Sequence, residues 1–384
     1  MKILMVSMFS SHFFNWTRQL KNAGHVVYWF DVFDSNTRVK KIDFVHQITG
    51  WRYKYDYPGR HLIKSKLPFF YKFLKPFSER ELADVFEREL LKIEPDAVQS
   101  FALQPAAFPI LEVMKKYPDI KWILSAWGND LYYRQQTGKK DLDKIHQTLP
   151  EIDFLFTDCN RDMGVARNLG FKGIEMGVFP GGGGYELDYY SKFRRPFSER
   201  NIILIKGYES HLGRCNKILE SILKLKALLE DYEIVIFGAN QKVLAYVKEH
   251  KLDKWNNFKC FQKIPNKEVL KYMGGSMLYI GNSISDGMPN TLLEAVVMSV
   301  FPIQSNPGGA TEEIITHGKN GLLITNPENS AEIGDLIQQA INSPSMLKLG
   351  IEYNDQYTRP NLDRKSVREK VLAKYEEIKD NLAH

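Results

Sequence analysis

Short apolar or β-branched runs alternate with amphipathic stretches along almost the whole chain, and this alternation constrains the fold most. Parallel strands cannot be joined by tight turns, so each pair needs a crossover, usually helical. In the first half the predicted strands are Lys2 to Ser7, His25 to Asp31, Ala97 to Phe101, Trp122 to Ala126 and Phe154 to Thr157. Amphipathic stretches such as Glu79 to Ile93 separate them. The pattern then restarts at Asn201 to Lys206 and continues through Glu233 to Gly238, Phe258 to Phe261, Met277 to Gly281, Val300 to Gln304 and Gly321 to Ile324.

Between the halves lie Gly181 to Gly184 and the polar, aromatic and basic stretch Glu186 to Arg200, a composition shift that reads as a linker. A chain of 384 residues also exceeds what one core usually organises. The expectation is an α/β protein of two doubly wound, Rossmann-like domains, residues 1–190 and 191–355, with a helical tail over 356–384. The tail is expected to pack back toward the N-terminal domain, its helix running from Leu362 to Leu382. Ligands of open α/β sheets sit beyond the carboxyl ends of the strands, so two such sheets facing each other would make a cleft.

No segment approaches the roughly 18 consecutive apolar residues of a membrane span. The residues after Met1, including the mixed polar and aromatic Ser7 to Asn15, are unlike a secretory signal. Cys159, Cys215 and Cys260 are far apart and form no C-x-x-C pair, which argues against a disulfide framework or zinc site. A cytoplasmic location is expected. The formal charge of +6 is uneven: Arg38 to Arg80 holds eleven Lys or Arg against Asp43, Asp56 and Glu79. Aromatic residues interleave with these cations between 51 and 77, a composition that suits an anionic membrane surface or an anionic acceptor as well as a plain solvated face. No nucleic-acid motif is present, and no nucleic-acid partner is expected.

The richest chemistry lies in Asp286-Gly287-Met288-Pro289-Asn290-Thr291-Leu292-Leu293-Glu294, between a predicted strand and an apolar helix. Pro289 suits a first helical turn. The N–H groups of Asn290, Thr291 and Leu292 would then point out of the helix start, where a phosphate can sit. Glu294 falls roughly 7 to 8 Å along the axis from Pro289, so Asp286 and Glu294 can address two separate sets of hydroxyls. A second element opens this half: the strand ending at Lys206 and Gly207, with Arg214 ahead of a helix from Cys215 to Leu229. Charge-assisted bonds from two such cations to an anion contribute roughly 1.5 to 3 kcal/mol each.

A carboxylate, seven residues and a Glu at this place resemble the E-x7-E signature of retaining GT-B glycosyltransferases of family 4. The resemblance continues through Ser305 to Glu312, similar to that family's GG-x-x-E with Gly308 and Gly309, and through Asn320-Gly321-Leu322-Leu323. It implies that Glu294 binds ribose hydroxyls and that Asp286, an Asp where Glu is usual, holds the transferred sugar. It implies that Lys206 and Arg214 bind the diphosphate, in an order swapped from the family's. In the first half Trp127-Gly128-Asn129-Asp130 is similar to the family's W-G-S-D segment, implying contacts of Trp127, Asn129 and Asp130 with donor sugar or acceptor. A helix-capping role suits Asn129 and Asp130 equally. The loop Phe9 to Phe13 lacks the family's glycines, and its His12 is a candidate polar contact or an ordinary loop histidine.

The implied enzyme is a metal-independent, retaining transferase working on a nucleotide-diphosphate sugar and a sugar or lipid-linked acceptor, in polysaccharide or glycoconjugate synthesis. No cofactor is expected. Gly181 to Gly184 lacks the strand before, helix after and acidic residue that a dinucleotide fingerprint needs. Asp141-x-Asp143 has no preceding strand and is not read as a metal motif. A nucleotide-sugar epimerase and a non-catalytic nucleotide-sugar-binding protein remain open alternatives.

Overall fold

The computed structural model describes residues 1–55, 66 and 68–382. Of the basic stretch, residues 56–65 and 67, with Tyr57 and Lys64 among them, lie outside the described residues. The chain divides into two compact units. The first comprises Met1–Thr157, Met163–Val178 and the chain from Val371 on; the second comprises Asp158–Asp162 and Phe179–Lys370.

The first unit is built on seven strands: β1 (Lys2–Ser7), β2 (Val26–Asp31), β3 (His46–Ile48), β4 (Ala97–Phe101), β5 (Lys121–Ala126), β6 (Phe154–Thr157) and β7 (Ile174–Val178). Their order is β3-β2-β1-β4-β5-β6-β7, every pairing parallel. Leu4, Val6, Val98 and Leu124 share one core with Val85, Phe86, Leu90 and Ile93 of the helix Leu82–Ile93. That helix stops where Glu94 turns left-handed, φ 49°, and returns its N–H to Leu90 O at 2.9 Å.

The second unit carries six strands: β8 (Ile202–Lys206), β9 (Glu233–Phe237), β10 (Phe258–Cys260), β11 (Ser276–Gly281), β12 (Phe301–Ser305) and β13 (Leu322–Ile324). They run in the order β10-β9-β8-β11-β12-β13, again all parallel. Side chains alternate across a strand. Thus Ile203 and Ile205 of β8 enter one core with Ile234 and Ile236 of β9. Ile202, Leu204 and Val235 enter a second core on the opposite face, with Leu292, Leu293 and Val296. A strand buried on both faces must be apolar throughout, which is why this region reads as continuous Ile and Leu rather than as an alternating pattern.

In each sheet the strand order reverses once, between β1 and β4 and between β8 and β11. Such reversals open a crevice at the carboxyl ends of the strands. Among the described residues no helix is long and apolar enough to cross a membrane. All three cysteines are free thiols.

Candidate functional site

In the second unit the sequence-predicted residues gather around the reversal point. Lys206 closes β8, and Asp286 and the helix Asn290–Val297 follow β11. Gly207 must be glycine. A Cβ there would meet Ile236 Cγ2 at 2.6 Å and the Ala239 backbone at 2.9 Å, so the loop leaves the sheet flush against β9. Pro289 corrects the expectation of a first-turn proline: it is the residue before the helix, extended at ψ 116°. No side chain caps this helix start, so the N–H groups of Asn290, Thr291 and Leu292 are not capped from there.

Glu294, one turn in, accepts a hydrogen bond from Tyr190 Oη at 3.3 Å. Burial pushes its carboxyl upward, and hydrogen bonds from Tyr190 and Asn266 and the charge of Lys206 oppose the rise. Lys206 and Glu294 are therefore electrostatic neighbours although 88 residues separate them in sequence. Tyr279, fully buried on β11, feels the charges of both Asp286 and Glu294. Asp286 accepts the N–H of Gly287 at 3.0 Å, which orients its carboxylate at the start of the loop.

Arg214 differs from the expectation of a cation open to an anion. Its Nη1 donates to Ser210 O and Gly213 O at 2.9 Å, and its Nε pairs with Glu328. It also precedes a helix shorter than predicted, Cys215–Lys224. Gly308 and Gly309 take left-handed conformations, φ 65° and 88°, in tight turns after β12. Asn306 closes that turn, its Oδ1 accepting the N–H groups of Thr311 and Glu312 at 3.0 and 3.2 Å.

Sequence reasoning missed Tyr190, Tyr279 and Asn266. The stretch read as a linker contains the helix Leu187–Ser191, and Tyr190 on it reaches Glu294. Tyr185 beside it donates to Asn290 O at 3.1 Å. Nothing local could reveal contacts that span about a hundred residues, although the aromatic density at 185–193 was a usable signal.

The first unit has its own concave site. A cavity of about 670 Å³ is lined at the carboxyl ends of β1, β4 and β5 by Met8, Ala102, Gln104, Trp127, Asn129 and Asp130, and from a neighbouring wall by Trp51, Arg52, Glu79, Arg80 and Arg134. Asp130 Oδ2 accepts the N–H of Trp127 at 3.0 Å, so this carboxylate holds the turn as well as lining the cavity. Ala102 sits at φ 71°, a conformation that costs a non-glycine residue about 1 to 3 kcal/mol and that the fold maintains at the cavity wall. His12 does not line this cavity. It lies exposed in the helix Ser11–Thr17, capped by Ser10, where a loop was expected.

Asp141 pairs with Arg134 at 3.2 Å within the helix Lys139–Thr148. Among the described residues the group that could hold a metal is instead Asp158, Cys159 and Asp162, with ligand atoms within 4.8 Å of one another. The chemistry there suits a metal poorly. Burial pushes the Cys159 thiol and the Asp162 carboxyl upward, and the Arg161 guanidinium pairs with Asp162 at 2.9 Å.

Residues 190–356, all within the second unit, match the family model described as glycosyl transferases group 1. Among solved structures, the chain is similar to sucrose-phosphate synthase of Thermosynechococcus elongatus, with a TM-score of 0.72, 14% identity and 99% of both chains covered. It is similar to HepE of Anabaena in complex with UDP, with a TM-score of 0.71, 12% identity, and 98% of this chain and 100% of that chain covered. A glycosyltransferase of Rickettsia africae gives a TM-score of 0.69 at 16% identity over 99% of both chains. The chain therefore has the GT-B fold, with two Rossmann-like α/β domains. No curated protein matches it by sequence.

Proposed function

We propose that the protein is a glycosyltransferase that moves a sugar from a nucleotide-diphosphate sugar to an acceptor hydroxyl with retention of configuration, in polysaccharide or glycoconjugate synthesis. The observation that carries this reading is the convergence of Lys206, Glu294, Asp286 and an uncapped helix start at one strand reversal, inside the matched domain. The HepE structures hold UDP and UDP-glucose, which supports the same donor class here.

In this reading Glu294 accepts hydrogen bonds from the ribose hydroxyls, and Asp286 holds the transferred sugar with help from Gly308 and Gly309. Lys206, Gly207 and the N–H groups of Asn290, Thr291 and Leu292 receive the diphosphate. As the bond from the anomeric carbon to the diphosphate breaks, negative charge grows on the leaving group. Fixed donors stabilise that charge more than they stabilise the ground state, which is the source of catalysis. Arg214 joins them by exchanging Glu328 for phosphate oxygens. The acceptor hydroxyl bonds to the anomeric carbon from the face the diphosphate leaves, and its proton departs with the diphosphate. Lys206 and the helix start carry the charge that a divalent cation supplies elsewhere, so no metal is required.

Trp127, Asn129 and Asp130 belong to the acceptor side, residues 1–190, and His12 is a secondary polar contact there. Residues 191–355 form the donor side and 356–384 the tail. The basic, aromatic segment 51–77 supports a peripheral site on an anionic membrane, with Tyr55, Phe69 and Phe77 largely exposed and Lys66 exposed as well. Incubation with UDP-glucose, followed by proton NMR of the anomeric signal, tests the reaction. An α-configured product or released sugar, lost with Asp286→Ala while nucleotide binding persists, is expected. An intact donor with every common nucleotide sugar would overturn the reading.

A further inference from the structure

Resting on the transferase reading, we propose that the first-unit cavity is the acceptor subsite and that it takes an anionic group, a carboxylate or phosphate carried on a sugar, with Arg80 as its counter-ion. The cavity wall carries four cations, Arg52, Lys75, Arg80 and Arg134. Three of them are matched by carboxylates: Arg52 by Glu79 at 2.9 Å, Lys75 by Glu81 at 3.7 Å and Arg134 by Asp141 at 3.2 Å. Glu79 is further engaged by the Tyr71 hydroxyl, and Asp130 by the N–H of Trp127. Arg80 is different. Its Nη1 donates to Trp51 O at 2.7 Å and Tyr53 O at 3.0 Å, two neutral carbonyls, and among the described residues no carboxylate pairs with it.

A half-buried guanidinium that among the described residues meets only dipoles is short of a counter-charge there, and a low-dielectric wall enlarges that deficit. The two carbonyl bonds fix one edge of the guanidinium in advance, so an incoming anion meets a preset donor array rather than a mobile side chain. A guanidinium fork fits a carboxylate or phosphate better than it fits a hydroxyl. Trp51 and Trp127 supply flat apolar faces, and Gln104 and Asn129 supply amides that read hydroxyls of either neutral or charged sugars. The aromatic and amide groups thus recognise a sugar ring in general, while Arg80 selects an acidic one.

The test titrates the full chain with methyl glucuronide, glucose 6-phosphate and neutral methyl glucoside, read by tryptophan fluorescence because Trp51 and Trp127 line the cavity. At least one acidic sugar should bind about tenfold or more tightly than the glucoside. The tighter of the two acidic sugars tells carboxylate from phosphate. Arg80→Gln should abolish the preference. Asn129→Asp, which places a carboxylate in the same wall, should weaken the acidic probes about fivefold more than it weakens the glucoside, and it decides the matter if the arginine variant does not fold. Equal binding of all three sugars, or a preference that survives these variants, overturns the inference. A parallel titration with UDP separates the two readings. UDP binding without acid preference removes this inference alone, whereas acid preference without UDP binding removes the transferase reading and with it the acceptor role.

Discussion

Glu294 combines two demands that oppose each other. Its burial favours the protonated acid, while the ionised carboxylate accepts ribose hydroxyl bonds more strongly and through both oxygens. Lys206, Tyr190 and Asn266 hold it partway back toward ionisation. A carboxyl whose folded pKa is raised binds its proton more tightly in the folded state, so the stability it contributes is present at low pH and is lost as pH rises through the folded value. Donor binding runs the other way. Affinity for UDP-glucose, which itself does not titrate near neutrality, should fall as pH drops from about 7 to 5, beginning above the ordinary carboxylate range. Calorimetry across that range checks it, and Glu294→Gln should flatten the profile. A wild-type profile that stays level to pH 5 would remove Glu294 from the donor site. Sequence alone showed Glu294 and Lys206 as candidates but not the pressure on them, because Tyr190, Asn266 and Tyr279 come from remote stretches.

Elements were legible in proportion to their burial. Each of the five predicted first-half strands is present, because β4 and β6 are buried throughout and most of β1, β2 and β5 is buried. The strands missed, β3 and β7, are the two edges of the first sheet. β3 is three half-exposed residues, and β7 holds Glu175 and Gly177, so neither presents an apolar run. The helix Ser11–Thr17 was missed for a related reason: seven residues give too little periodicity, and only the Ser10 cap marks its start. The helix Pro68–Ser78 carries the membrane reading. Phe69 and Phe77 are 91% and 70% exposed, a cost that an interface with lipid would offset. Replacing Lys66 and Lys75 by Gln should lower sedimentation with vesicles containing anionic lipid, roughly in line with 1 kcal/mol for each charge near the surface. Unchanged sedimentation would leave the segment an ordinary solvated face.

For the molecule as a whole, two restarts of one strand-and-crossover pattern were enough to give the fold class, since only parallel sheets absorb so many buried apolar runs. The way the tail is tied down was not legible. The helix Arg364–Asn381 begins in the second unit, and its residues from Val371 belong to the first. There Tyr375, fully buried, accepts from Trp16 Nε1 at 3.0 Å and donates to Gln99 Oε1 at 2.6 Å. Tyr375→Phe would strand both partners in the core, and urea unfolding should show a loss of about 1 to 3 kcal/mol. A change within experimental error would mean that the chain is tied down by apolar packing alone.

The donor site carries the transferase reading most directly. UDP titrated calorimetrically into the wild-type protein and Glu294→Ala, both in EDTA, measures it. Binding by the wild type without metal, weakened in the variant by about tenfold or more for a lost charge-assisted contact, is the predicted result. Binding that disappears in EDTA, or that Glu294→Ala leaves intact, would contradict it.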